Sequence, residues 1–316
     1  MLPWESDTNP LMLAPMQGLT NRGLRSLFVD LVRPDVVFTE YVQVKSSGSR
    51  VISKNDRLEM KESSGTVPLV VQLIGADVAA MVTAAGIAED LGAEHININL
   101  GCPYGRMGKR SAGGKLLQDP PGLAQLLTAL RPEISGSFSL KVRAGFEDPS
   151  ELFSLLPLFE DSGIDFLIVH ARTVAQRYSG SADHTVTAEV VQKTTLPVIA
   201  NGDICTTAGG LHVQQQTDAA GLMLGRGAIG DPFLFQRLRG KHAAVSTPGE
   251  RRTELCSYLQ EVTRIYQQLF CGEQQTLAKL KEILAFIPDP ELVRWIGQLR
   301  KTKTIAHFTA LLTDEC

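Results

Sequence analysis

At 316 residues the chain exceeds one median domain and falls short of two, a length that suits one large α/β barrel of roughly 250 residues plus a small appendage. Hydrophobic residues at 43% and charged residues at 21% lie near the globular average, which excludes disordered, fibrous and coiled-coil classes, and no apolar run approaches the ~18 residues of a membrane span. A formal net charge of −3 argues against a general polyanion binder, although Arg237–Lys303 carry 12 basic residues against 7 acidic ones, a local balance of +5 that suits a polyanionic partner.

The first residues, Met1-Leu2-Pro3-Trp4-Glu5-Ser6-Asp7, hold no basic n-region and no apolar h-region, so no secretory signal is expected. Short apolar runs, several of them β-branched, follow at Leu11–Ala14, Val36–Phe38, Leu69–Leu73, His95–Asn99, Ser139–Val142, Phe166–Val169, Val198–Ala200 and Gly221–Leu224. Between and after them come amphipathic stretches at Asn21–Val32, Val78–Leu91, Gly122–Arg131, Ser150–Ser162, Thr185–Lys193, Thr207–Gln215 and Phe233–Arg239. This alternation predicts a (β/α)8 TIM barrel over residues 1–241. The second crossover, Tyr41–Val67, is the least regular; its polar Lys45-Ser46-Ser47-Gly48-Ser49-Arg50 run suggests a helix with a loop near the barrel mouth. A doubly wound open sheet calls for a glycine fingerprint after the first strand, which Ala14-Pro15-Met16-Gln17-Gly18 does not supply. His242–Gly249 reads as a linker into helices at Glu250–Phe270, Gln274–Phe286 and Asp289–Leu312, an all-helical unit over 250–316.

In such a barrel the strand C-termini face the active site. Here they carry Pro15-Met16-Gln17, Gln72, Asn97 to Pro103, Lys141 and Arg143, His170 and Arg172, Asn201-Gly202-Asp203, and Gly225-Arg226-Gly227. Glycines past the seventh and eighth strands expose backbone N–H groups suited to a phosphate, with Arg226 adding charge. Strand alternation puts Lys141 and Arg143 on one face, where two lumenal cations require an anion to neutralise them. The five cysteines form no CxxC pair, so neither a disulfide framework nor a metal site is expected and a reducing compartment is the default. Cys205, Cys256 and Cys271 read as small buried hydrophobes. Cys102 differs: Gly101 and Pro103 set it at the mouth, across from Lys141, and a thiol that keeps its proton near neutrality can donate it.

Taken in order, Ala14-Pro15-Met16, Gln72, Asn99-Leu100-Gly101-Cys102-Pro103, Ala112-Gly113-Gly114, Lys141-Val142-Arg143, His170-Ala171-Arg172-Thr173, Asn201-Gly202-Asp203 and Gly225-Arg226-Gly227-Ala228 resemble the tRNA-dihydrouridine synthases. The resemblance runs along about three-quarters of the chain. It implies FMN, with Pro15, Met16 and Gln17 bordering the flavin ring and Gln72 and Asn99 bonding its edge. Lys141 sits by implication near the ring's pyrimidine end, while His170, the Asn201-Gly202-Asp203 backbone and Gly225-Arg226 hold the phosphate. It further implies NADPH as electron donor, hydride delivery to C6 of a uracil in tRNA, expected in the D-loop, and protonation of C5 by Cys102. Arg172 is expected to bind substrate, and the basic helical unit, with Arg294, Arg300, Lys301 and Lys303, to grip tRNA phosphates. A cytoplasmic monomer without membrane contact is the expected state. One departure is Met107, where the family usually has a small β-branched residue.

Two other functions compete. An FMN barrel acting on a small pyrimidine, like dihydroorotate or dihydropyrimidine dehydrogenases, shares the flavin logic but gives the basic appendage no role. A tRNA-binding protein that keeps FMN without turnover is the third reading.

Overall fold

The computed structural model describes residues 1–5, 8–46, 51–61, 65–103, 106–107, 110–287 and 289–313, with the backbone alone for Arg106, Met107, Arg110 and Ser111. Eight parallel strands close into a barrel: β1 (Leu11–Leu13), β2 (Val36–Phe38), β3 (Leu69–Ile74), β4 (His95–Leu100), β5 (Ser137–Arg143), β6 (Phe166–His170), β7 (Val198–Asn201) and β8 (Gly221–Leu224). Each strand pairs with the next, and β1 closes on β8 through Leu11↔Leu222 and Leu13↔Leu224. The barrel expectation holds, with strand ends shifted by a residue or two.

Helices α1 (Arg22–Val32), α2 (Lys54–Lys61), α3 (Val78–Asp90), α4 (Pro120–Leu130), α5 (Pro149–Asp161), α6 (His184–Lys193) and α7 (Thr207–Thr217) lie between the strands. Most start at a side chain built for the purpose. Asn21, Asp77, Asp119, Asp148, Asp183 and Thr206 each accept a backbone N–H of the following turn, worth about 1 kcal/mol per helix. The second crossover does contain a helix, α2, while residues 47–50 and 62–64 of it lie outside the described part. Two short helices, α8 (Arg226–Gly230) and α9 (Leu234–Leu238), follow β8.

Four more helices complete the described chain: α10 (Pro248–Leu269), α11 (Glu273–Leu284), α12 (Val293–Lys301) and α13 (Ile305–Thr313). The linker ends earlier than its composition suggests, because Thr247 and Glu250 form a capping box and Pro248 takes the first helical position. The expected helix over Asp289–Leu312 divides in two. Thr302 turns extended, its hydroxyl donating to Leu299 O at 2.8 Å, and ends α12. Pro288 lies outside the described residues.

Inside the barrel, alternation sorts the walls. Met12, Val36, Phe38, Val70, Phe166, Ile168, Ile199 and Met223 form an apolar lumen, closed below by Trp4 edge-on to Phe166 at 4.8 Å. The inner positions of β4 and β5 are polar instead: His95, Asn97 and Asn99 lie in register with Ser137, Ser139 and Lys141. Outside, α1 and α10 share one apolar cluster with β1, β8 and the C-terminal helices, including Phe28, Leu224, Leu259, Leu280 and Phe308. Gly23 permits the closest approach, since a Cβ there meets Ile265 Cγ2 at 2.7 Å. Of the cysteines expected to be buried, Cys256 is buried, though disulfide-bonded and not a free thiol, while Cys205 and Cys271 are exposed.

Candidate active site

A cavity of about 520 Å³ opens at the C-terminal ends of the strands. Of the residues singled out from sequence, Pro15, Met16, Gln17, Asn99, Cys102, Lys141, His170, Asn201, Gly202, Asp203, Gly225 and Arg226 all line it. Ala14, Met16 and Met223 supply apolar surface on the β1–β8 side.

Gln72 does not line it. The side chain is fully buried, its Nε2 donating to Asn97 Oδ1 and its Oε1 accepting from Asn99 Nδ2, both at 2.8 Å. Asn97 passes the chain on to Ser139 Oγ at 2.8 Å. Gln72 thus orients Asn99 from beside the cavity lining. With Nδ2 so fixed, Asn99 Oδ1 accepts the N–H groups of Gly101 and Cys102 at 3.0 and 2.9 Å. The far side of Cys102 is closed by Gly113, whose φ of 61° favours glycine and whose hypothetical Cβ lies 2.9 Å from Cys102 O. Cys102 is therefore held from both sides on a half-buried turn. Its strand neighbours that of Lys141, with Asn99 and Lys141 in register, so the two are adjacent and not across the mouth.

Lys141 donates to Asn201 Oδ1 at 2.9 Å, and Asn201 Nδ2 donates to Met223 O at 2.8 Å. Burial, followed by the Arg143 charge, pulls the Lys141 ammonium down to about 7. Arg143 finds its hydrogen-bond partners within the chain. It donates to the carbonyls of Gly101 at 2.8 Å, Thr173 at 3.1 Å and Arg177, and its guanidinium lies 5.2 Å from the Tyr178 ring centroid. These bonds pin the 173–178 loop beside the mouth.

The opposite rim is charge-dense. Asp203, with φ of 51°, accepts Arg172 through both oxygens at 2.9 and 2.6 Å and Arg226 at 2.7 Å. Arg172 is 3% exposed and also bonds the carbonyls of Ser179 and Gly180, so it builds the rim and does not line the cavity. His170 is held neutral: burial, then Lys141, Arg143, Arg172 and Arg226, drive its pKa far below the usual range. Among the described residues no acceptor occupies the N–H groups of Gly202, Asp203, Gly225 or Arg226. A side chain at Gly202 cannot fit, since its φ is 124° and a Cβ lies 2.9 Å from Ala182 Cβ.

Sequence reading missed Tyr41, Tyr178 and Phe286, which also line the cavity. Tyr178 belongs to a segment without periodicity, Phe286 stands at the end of a helix that the sequence places outside the barrel, and Tyr41 follows a strand end that carried no motif. Burial raises the Tyr41 phenol, with Cys102, Glu40 and Tyr178 adding to it, so the ring stays protonated. Arg294, Arg300 and Lys301 lie exposed on α12, away from the cavity lining, and Arg300 donates to Leu284 O at 2.7 Å. The side chain of Met107 lies outside the described residues.

The family model described as dihydrouridine synthase matches residues 12–289. A tRNA-dihydrouridine synthase B of Pseudomonas syringae pv. tomato is 36% identical over 231 residues, 73% of this chain and 68% of that protein. The Escherichia coli K12 protein of the same name is 32% identical over 265 residues, 82% of this chain and 81% of that one. Among solved structures, morphinone reductase in complex with tetrahydroNAD aligns with a TM-score of 0.53 at 11% identity, covering 77% of this chain and 90% of that one, a likeness of fold.

Proposed function

The chain belongs to the dihydrouridine synthase family, an oxidoreductase that makes dihydrouridine in tRNA, and on that footing we propose how its site works: FMN in the barrel mouth, NADPH as electron donor, and Cys102 as the proton donor to uracil C5. The observation that carries this reading is one cavity joining a fixed thiol, a lumenal lysine and a phosphate cradle. Relatives named as tRNA enzymes along most of the chain leave the small-pyrimidine alternative without support.

The residues fit the cofactor. Open N–H groups at Gly202, Asp203, Gly225 and Arg226, beside a guanidinium fixed by Asp203, suit a single phosphate. Met16, Ala14 and Met223 suit a flat ring, with Lys141 and Asn99 at its polar edge. When bound, reduced FMN supplies the hydride that saturates C6 of the uridine. Lys141 would place positive charge beside an anionic reduced cofactor, and the Asn201 bond keeps the ammonium aimed. Asn99 fixes the Cys102 backbone, so the thiol delivers its proton from one place. Tyr178 and Arg143 border the space left for a uracil turned out of the tRNA stack. The helical unit over 250–316 grips tRNA through Arg294, Arg300 and Lys301, and the enzyme works as a cytoplasmic monomer.

The test is mass spectrometry of released cofactor together with oxidation of pre-reduced enzyme by unmodified tRNA. FMN and tRNA-dependent oxidation are expected. FAD, or no flavin after reconstitution, contradicts the assignment.

A further inference from the structure

The turn Met16–Thr20 supplies Met16, Gln17 and Leu19 to the cavity, yet its own backbone hydrogen bonds are few. It closes on itself through Leu19 N and Thr20 N to Met16 O, and Met16 N donates to Thr20 Oγ1 at 2.8 Å. At its centre stands Gly18, with φ of 80°. The two peptide groups that flank Gly18 are each held by a side chain from a different part of the chain. Glu40, just past β2, accepts the Gly18 N–H at 2.8 Å. Lys279 of α11 donates to its carbonyl at 3.1 Å, and the same ammonium is held by Glu282 at 2.8 Å. A Cβ at Gly18 meets Lys279 Nζ at 3.4 Å. Tyr266 of α10 is fully buried against the same turn, its hydroxyl 3.5 Å from Leu19 O, and Phe286, just past α11, lines the cavity itself.

We propose that the C-terminal helices are part of the cofactor site, with Lys279 as a positioning residue that fixes the Met16–Leu19 turn against the flavin ring. This rests on the flavin reading of the cavity. The physical reason is the geometry of the grip. A lone Gly in the left-handed region is free to move, and one charged side chain on each of the two peptide groups beside it removes that freedom. Lys279 thereby links the helical unit expected to grip tRNA to the wall against which the cofactor lies. The side chain is only 24% exposed, so its bond to Gly18 is partly shielded from water.

The experiment titrates FMN into apoprotein of wild type, Lys279→Met and Lys279→Arg, following flavin fluorescence quenching and the visible circular dichroism of the bound cofactor. Lys279→Met is expected to weaken FMN binding by about 3–30-fold, less than the full worth of a charge-assisted hydrogen bond because Lys279 acts on the cofactor only through the turn, and to alter the dichroic band. Lys279→Arg, which keeps a cationic donor, restores both. A Glu40→Gln variant, alone and combined with Lys279→Met, shows whether the two grips act on one element: the double change is expected to cost less than the product of the single ones. Unchanged affinity and unchanged dichroism in Lys279→Met overturn the proposal. Should that variant fold poorly, Glu282→Gln, which removes only the acid that steadies Lys279, must shift the band in the same direction, and no shift overturns it equally. Failure of wild type to bind any flavin refutes the cofactor reading instead, so the two failures are distinct.

Discussion

The two walls of the barrel are built on opposite principles. Along β3–β5 the lumen is filled by neutral polar groups, Asn99, Gln72, Asn97 and Ser139, each bonded to the next at 2.8 Å. Along β6–β8 it is filled by Phe166, Ile168, Ile199 and Met223, with charge appearing only at the rim as Arg172, Asp203 and Arg226. A neutral amide ladder transmits position without adding net charge, so it can aim Cys102 while leaving Lys141 as the charged group of that wall. An ionic rim does the reverse, offering charge to an anion at the cost of sensitivity to salt. Chemistry belongs to the first wall and anchoring to the second, with the Lys141–Asn201 bond joining them.

The largest expected effect falls on the amide wall. Cys102→Ala is expected to slow oxidation of pre-reduced enzyme by tRNA by about 10²–10⁴, the usual worth of a general acid, while the protein stays yellow. Equal single-turnover rates remove the thiol from the mechanism; loss of colour moves it to the cofactor. On the ionic rim, Arg226→Ala is expected to weaken FMN binding by roughly 10–100-fold, as a charged hydrogen bond to phosphate is lost. Fluorescence titration at low and high salt checks it, with the gap between wild type and variant narrowing as salt rises.

A smaller effect is expected outside both walls. Replacing Arg294, Arg300 and Lys301 with Ala is expected to weaken tRNA binding and flatten its salt dependence, by roughly one unit of slope for each phosphate left without its cation, with flavin content unchanged. Filter-binding over a salt series measures it. Unaltered affinity and slope place the docking surface elsewhere. The smallest effect concerns pH. Unfolded, Lys141 keeps its proton to about 10.4; folded, it releases it near 7. Between those values the unfolded chain binds more protons, so this residue makes the ligand-free protein more stable as pH rises. Denaturant midpoints across that window are expected to climb less in Lys141→Met than in wild type, and parallel curves contradict it.

Much of this architecture is legible in the amino-acid sequence. Apolar runs and capping residues place the strands and helices, and strand-end polarity marks the mouth, because both are local properties. What stays hidden depends on depth or on distant partners. Strand alternation says that Gln72 faces inward but not that both ends of its amide are taken. Arg172 reads from the sequence as a lone strand-end cation, and only the fold shows Asp203, brought near by the neighbouring strand, pairing with its guanidinium. Lys141 and Arg143 share a face, yet only the fold shows Arg143 bonded to carbonyls of its own chain. Tyr178 reaches the mouth from a segment whose sequence carries no period, and Phe286 from the end of a helix whose docking on the barrel the sequence does not show.

The separation of chemistry from anchoring is tested most directly by one series: single-turnover oxidation by tRNA as a function of added FMN in wild type, Arg226→Ala and Cys102→Ala. The account predicts that Arg226→Ala needs more FMN but reaches the wild-type plateau, while Cys102→Ala saturates at the wild-type FMN concentration on a plateau about 10²–10⁴ lower. A depressed plateau in Arg226→Ala that FMN cannot restore, or recovery of Cys102→Ala by added FMN, would contradict it.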